Sequence, residues 1–488
     1  PISGPPADRA GLISGDIVTK IDEASTVNMP INDAVDLMRG EPGTSVTLQV
    51  KRAVWPEERR IRLVRAEIKV RSMDSALMPG NVGYIIIHDF QANTAQDLEE
   101  HLQKLSAARK AEGLILDLRS NPGGLLTAAI DVADVFLESG VIVTTAGQKL
   151  ADRKVEKASA SGREPDYPIV VLVDSGSASA SEIVAGALKR HNRAVLVGER
   201  TFGKGSVQVL HEFDDQSALK MTTAQYLTPG DISIQSVGIA PHVETQKIRA
   251  DADMIDLKKP VRYREGDLTD HFERISRRQD EDETDIHLRY LYAPDHSDRA
   301  AGDETEEEEP SDDTIYNFQF NPDFEIRLAR ELILEMKRRR IRSFEKNSFT
   351  PLVARMQQKE TARLSDAFRR MGVDWTAGPE TGPVQLTPVV RLVGDTARID
   401  AGTEGTLEVS VHNAGTVPIY QLLATTRSDF GPLDQRELAF GAVRPGESAV
   451  RTLSFKVPLN AGTRTDDVKI SFEDLKANKL PEVATRFS

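Results

Sequence analysis

The stretch 173–208 reads VDSGSASASEIVAGALKRHNRAVLVGERTFGKGSVQ. It sets Ser175, Ser177, Ser179 and Ser181 in a small-residue turn and one lysine, Lys204, between two glycines in a later loop. A serine hydroxyl is a poor nucleophile until a base takes its proton. Lysine can take that proton only while neutral, a state that burial favours. Gly203 and Gly205 let the chain pack Lys204 inward. The turn holds no histidine and no Gly-x-Ser-x-Gly elbow, so the residue types point to a Ser–Lys hydrolase rather than a Ser–His one. Gln208 lies four residues after the lysine. On an extended segment, positions 204, 206 and 208 share one face, so its amide is placed to hold the amine in line with a hydroxyl.

Positioning these groups requires rigid elements. Residues 169–173 and 194–197 are apolar runs that read as buried strands, and 183–188 carries a helical pattern between them. Upstream, 82–87 (VGYIII) and 113–119 (GLILDLR) are further buried strands. Asn93 and Thr94 open a helix, with Thr94 and Asp97 spaced as a capping box and Leu98, Leu102 and Leu105 as its apolar stripe. Residues 125–136 are helical and 141–145 strand-like. Strands alternating with helices predict an α/β layer with a largely parallel sheet, whose active sites lie at the carboxyl ends of the strands. Both the serine turn and the loop Ser120-Asn121-Pro122-Gly123-Gly124 fall there. Glycines in that loop would let backbone N–H groups approach a developing oxyanion.

These motifs resemble the C-terminal processing peptidases, or tail-specific proteases, which are Ser–Lys endopeptidases of the cell envelope with an α/β core of the ClpP/crotonase type. The shared features are Ser-Ala-Ser-Ala-Ser-Glu, then Thr-Phe-Gly-Lys-Gly, and a run Thr-Pro…Ser-Ile-Gln-x-x-Gly-Ile-x-Pro after the strand at 219–227. The resemblance covers roughly residues 5–245. It implies Ser179 as nucleophile, Lys204 as base 25 residues later, and Gln208 as the supporting amide. It also implies an oxyanion hole from the backbone N–H groups of Gly124 and Ala180, with no cofactor and no metal. Ser177 and Ser181 are rivals for the nucleophile's place.

The rest of the chain reads as several further domains. Residues 1–53 resemble a PDZ domain through ADRAGL-x-x-GD-x-V-x-x-ID, with 54–81 as a connector. The pattern starts inside that domain, so the family's first strands and carboxylate-binding loop are expected before Pro1. Residues 82–245 are the protease core that the resemblance implies. Residues 246–320 are highly charged, including the acidic run 306–309, and are expected to be a flexible linker that uncouples the protease from the C-terminal part of the chain. Tyr290, Leu291 and Tyr292 form an apolar patch within it. Residues 321–375 read as a helical hairpin: Asn321-Pro322-Asp323 starts one helix with Phe324, Leu328, Leu332 and Met336 on a packed face, and a second runs over about 351–371. Residues 383–488 show short alternating strands and regular turns, predicting an immunoglobulin-like β-sandwich with a loose resemblance to bacterial adhesion-type accessory domains.

A chain of 488 residues is too long for one core. Its formal net charge of −14 argues against a nucleic-acid binder. The absence of cysteine excludes disulfides and thiolate metal sites. No run reaches the ~18 apolar residues that a membrane helix needs. The resemblance implies unstructured protein or peptide C-termini as substrates, a periplasmic or envelope location, and an adaptor or envelope partner for the sandwich. The alternatives are an inert envelope scaffold that binds partners through its PDZ-like and sandwich domains, and an amidase of small amides. Retention of Ser179, Lys204 and Gln208 argues against the scaffold, and a peptide-binding module argues against the amidase.

Overall fold

The computed structural model describes the chain apart from residues 1–5, 14, 53–54, 56, 67–70, 109, 148–152, 160–165, 214, 216, 253, 259–262, 269–283, 293–319, 380–383, 395–397, 460, 475, 477, 479 and 488. The acidic run 306–309 therefore lies outside the described residues. The chain divides into two units, Pro1–Ser72 and Met73–Ser488.

The first unit holds α1 (Pro6–Arg9), β1 (Ile17–Ile21), β2 (Ala24–Ser25), α2 (Ile31–Met38), β3 (Ser45–Lys51) and β4 (Arg59–Val64). Its antiparallel sheet runs β2-β1-β3-β4. In β3 every second residue is apolar, so Val46, Leu48 and Val50 turn to one face and build a small core with Ile21 and Ala34. Arg52 closes the end of β3 against Asp16 through a two-pronged guanidinium–carboxylate contact at 2.6 and 2.7 Å.

The second unit begins with β5 (Met73–Met78), β6 (Val82–Ile87), α3 (Thr94–Ala108), β7 (Gly113–Asp117), α4 (Leu126–Phe136), β8 (Val141–Gly147) and β9 (Lys154–Lys157). It continues with β10 (Ile169–Val173), α5 (Ala180–Arg190), β11 (Val195–Gly198), β12 (Ser206–Glu212), β13 (Ala218–Thr228), β14 (Ile232–Ser233), β15 (Val243–Ala250), β16 (Ile255–Asp256) and β17 (Ile286–Leu291). The main sheet runs β16-β15-β11-β10-β7-β6-β5, with β17 also paired to β15. The pairs from β6 through β7, β10 and β11 to β15 are parallel, as is β15 with β17. Such strands are covered on both faces and so read as unbroken apolar runs. In β10, Ile169, Val171 and Val173 face the core shared with α3, α4 and α5, while Val170 and Leu172 face the opposite core. At the start of α3 the capping differs from the spacing-based expectation: Asn93 donates its amide to Asp97 at 2.9 Å, and the Thr94 hydroxyl accepts from Gln91 N–H.

The opposite core is closed by α6 (Phe324–Arg339) and α7 (Lys346–Arg370), which lie on the sheet. Asp323 caps α6 by accepting from Ile326 N–H at 3.0 Å, as the Asn-Pro-Asp start implies. Phe324 stacks on Tyr290 of β17, with ring centroids 4.4 Å apart. The linker expectation for 246–320 therefore needs correction where the stretch is described. The end of β15, together with β16 and β17, is woven into the sheet instead. The alternation of Ile286, Leu288 and Tyr290 is the strand signal, and the charged residues around it mask that signal.

The last elements are β18 (Leu386–Leu392), β19 (Glu404–Asn413), β20 (Ile419–Ser428), β21 (Glu437–Val443), β22 (Ser448–Lys456), β23 (Asp466–Glu473) and β24 (Val483–Phe487). They form two sheets, β18-β19-β22 and β21-β20-β23-β24. Leu407, Val409 and Val411 of one and Val468, Ile470 and Phe472 of the other share one apolar cluster. A second cluster joins this region to the rest of the unit: Ile248, Ala250 and Leu257 pack with Phe368, Trp375, Leu423 and Ala439. Buried Glu437 adds two hydrogen bonds across that contact, accepting from Leu257 N–H at 2.7 Å and Lys258 N–H at 3.0 Å. The C-terminal sheets are thus packed onto the core rather than uncoupled from it.

Candidate active site

Three loops leave the carboxyl ends of adjacent parallel strands: 118–125 after β7, 174–179 after β10 and 199–205 after β11. Hydrogen bonds knit them together. Asn121, fully buried, donates its amide to Ile87 carbonyl at 2.7 Å and accepts Gly123 N–H at 2.9 Å. Its own carbonyl accepts Ala178 N–H at 3.0 Å. Asp174 accepts Ser120 N–H at 2.7 Å, and Phe202 N–H donates to Ser177 carbonyl at 3.0 Å.

The serines of the turn are not equivalent. Ser177 and Ser181 are both fully buried, and their hydroxyls donate to Leu118 carbonyl at 2.8 Å and Asn121 carbonyl at 3.0 Å. Ser179 stands between them, half-buried, immediately before the first residue of α5. Its backbone has φ 54° and ψ −112°, a positive-φ conformation rare for any residue with a Cβ. Such strain persists only where the surroundings over-determine it.

The surroundings that hold it centre on Glu182, the third residue of α5 and fully buried. One carboxylate oxygen, Oε2, accepts both Ser179 N–H and Lys204 N–H, each at 2.9 Å. The other, Oε1, accepts Gly203 N–H at 2.8 Å and the Thr201 hydroxyl at 2.5 Å. The two backbone nitrogens of Ser179 and Lys204 are thereby separated by no more than two hydrogen-bond lengths. Burial pushes the Glu182 carboxyl up to about 7, while the Thr201, Gly203, Ser179 and Lys204 donors pull it down. Gly205 N–H goes to Gln235 Oε1 at 2.9 Å, so three consecutive N–H groups of the lysine loop end on buried side chains.

Part of the chain matches known protein families. The profile described as "Peptidase family S41" matches residues 81–245, and that described as "PDZ domain" matches residues 1–52. A carboxy-terminal-processing protease of Bartonella bacilliformis is 40% identical over 272 residues, which is 55% of this chain and 60% of that protein. The carboxy-terminal processing protease CtpA of Bacillus subtilis is 39% identical over 246 residues, 50% of this chain and 52% of its own. A carboxyl-terminal-processing protease of a Synechocystis species is 40% identical over 246 residues, 49% of this chain and 57% of its own. The chain thus spans between half and three fifths of the length of these relatives.

The remaining sequence-derived candidates lie within the matched residues 81–245. Gly124 is exposed with φ +145°, next to Gly123, and an ideal Cβ on Gly123 would come within 2.8 Å of Ser179 Cβ and 2.9 Å of Ala180 N. Ala180 is buried as the first residue of α5, where helix geometry leaves its N–H without an intrahelical acceptor. Lys204 is half-buried. Gln208 is exposed on β12, opposite Thr222. A register shift between Val207 and Gln208 breaks the alternation expected to place 204, 206 and 208 on one face, and Ser206 is buried where Gln208 is not. Glu199, the acid nearest before Lys204 in sequence, lies near Tyr290, whose hydroxyl is pushed up chiefly by burial, with Glu325, Asp323 and Glu199 adding to it. Among the described residues no cluster of three potential metal ligands occurs, and no helix is long and apolar enough to cross a membrane.

Sequence reasoning passed over Glu182 and Asn121. The signal for Glu182 was present as Ser-x-x-Glu, a capping-box spacing. Nothing in that spacing announces the donors from residues 201, 203 and 204.

Proposed function

We propose that this chain is a serine endopeptidase of the C-terminal processing, or tail-specific, type that works through a Ser–Lys dyad. The observation that carries the reading is the shared Glu182 oxygen, which draws Ser179 and Lys204 together while Ser177 and Ser181 are committed to carbonyls. In this reading Ser179 Oγ attacks the scissile carbonyl carbon and its proton passes to Lys204 Nζ. The carbonyl oxygen becomes an oxyanion facing the N–H groups of Gly124 and Ala180, a reading supported by the close packing of the neighbouring Gly123 on Ser179 and Ala180 N. As the C–N bond breaks, Lys204 returns the proton to the leaving amine. Water then hydrolyses the acyl-enzyme, with Lys204 again as base. Gln208 orients the lysine amine, a role that requires its exposed side chain to turn inward when substrate occupies the site.

The substrates are unstructured protein or peptide C-termini, presented with help from the PDZ unit by strand addition. The C-terminal sheets form an immunoglobulin-like sandwich, supported by their shared apolar cluster, and serve as a spacer or partner-binding domain. The cell envelope is the location proposed from the family resemblance.

The test is cleavage of an unstructured peptide. Ser179→Ala and Lys204→Ala should each lower turnover by roughly 10³-fold or more. Lys204→Arg should be equally inactive because arginine stays charged. Ser181→Ala should keep most of the activity. Full activity in Ser179→Ala would refute the nucleophile assignment, and an unchanged rate in Lys204→Ala would refute the base.

A further inference from the structure

We infer that Glu182 is the positioning residue of this site, the group whose carboxylate sets the separation of Ser179 and Lys204. The inference rests on the Ser–Lys reading and adds a residue that touches neither substrate nor reacting atoms. Residues 199–205 belong to no helix or strand, so regular backbone pairing does not locate the lysine. Instead, Gly203 and Lys204 hang from Glu182, and Gly205 from Gln235. Glu182 in turn sits one helical turn from the strained Ser179 and takes its N–H. A single rigid carboxylate therefore fixes the base's backbone in the frame of the nucleophile's backbone. Thr201 aims it: the threonine hydroxyl accepts Ile239 N–H at 2.7 Å and donates to Oε1.

Burying a carboxylate carries a large desolvation cost, and an apolar side chain would fill the space more cheaply. An apolar side chain cannot, however, satisfy four donors from two loops at once. The helix N-terminus adds a favourable field for the negative charge. These costs and gains favour a role in geometry over one in stability.

The test compares kcat and KM for peptide cleavage, with fluorophosphonate labelling of the nucleophile as a second readout. Glu182→Gln keeps the volume but turns an NH2 group onto one pair of N–H donors. It should lower kcat about 10²-fold, the scale of a 1 Å misplacement, with KM within about twofold and labelling slowed in parallel. Glu182→Asp keeps the charge but draws the carboxylate back by one methylene, and it should remain at least roughly tenfold down in kcat. Wild-type kcat in either variant would overturn the inference, as would equal losses in kcat and thermal stability with raised KM. If Glu182→Gln does not fold, Thr201→Val serves instead: it releases the carboxylate from its aiming bond and should lower kcat several-fold at unchanged KM, and an unchanged kcat there would overturn the inference. Ser179→Ala and Lys204→Ala run in the same assay separate the two levels. If they remain active, the Ser–Lys reading falls. If they are dead while Glu182→Gln is wild type, only the positioning role falls.

Discussion

Arg119 and Glu325 are 206 residues apart in sequence, and their side chains meet at 2.6 Å. Arg119 lies in the loop after β7 that also carries Gly123 and Gly124. Glu325 is in the first turn of α6 and also accepts the Thr245 hydroxyl. Asp117 grips the same guanidinium, and Tyr84 donates to Asp117 at 2.9 Å. A buried ion network thus anchors α6 beneath the glycine loop.

Glu325→Ala leaves Arg119 less compensated in a largely buried setting. Removing one partner of a buried pair typically costs about 3–5 kcal/mol. Urea denaturation should show a loss of that size, with the unfolding midpoint lowered. A loss under about 1 kcal/mol would mean that Asp117 and Asp323 alone satisfy the guanidinium.

Gly123→Ala should inactivate the site without replacing a proposed catalytic side chain. Gly123 has φ +106°, and an added Cβ would lie 2.8 Å from both Ala178 O and Ser179 Cβ. The loop or the serine turn has to shift, and a displacement near 1 Å costs about 10² in rate. Turnover measured beside circular dichroism checks this, since an active Gly123→Ala would show that the two loops move independently.

The Glu182 carboxyl should make stability depend on pH. Its folded value of about 7 lies above the ordinary 4.5, with burial as the main cause. The folded state therefore holds this proton more tightly than the unfolded chain. The stabilisation is complete below about 4.5 and is lost as pH rises through about 7, an amount of about 3 kcal/mol for a fully buried group. Relative to Glu182→Gln, the wild type should lose stability across that window in denaturation series at stepped pH. Parallel curves would mean that the four donors keep the group ionised throughout.

Trp375→Ala should loosen the C-terminal sheets from the core. Trp375 is buried in the junction cluster and stacks on Phe368, with centroids 4.3 Å apart. Deleting a buried indole costs about 3–5 kcal/mol. Calorimetry should show the wild type unfolding Met73–Ser488 in one transition and the variant splitting into two. A single transition in the variant would place the coupling in Glu437 and the Leu257–Lys258 backbone instead.

Much of this molecule can be read from residue order alone. Runs such as Ile169–Val173 declare central parallel strands because both faces are buried, and β3 and β19 declare half-buried strands by alternation. The serine turn, the lysine loop and the glycine loop come after three such strands, so their common edge of the sheet was implied by the pattern. Other features were decided only by the tertiary structure. The strand β17 was hidden because charged neighbours outweighed three alternating apolar residues. The bulge at Val207 and Gln208 turned a same-face expectation into one buried and one exposed residue. Glu182 reads as an ordinary helix-start acid until donors some 20 residues away close on it. Periodicity reports which side of an element faces inward, because burial acts on each element separately. Which distant donor meets a buried acceptor depends on how the elements are packed, and no local pattern carries that information.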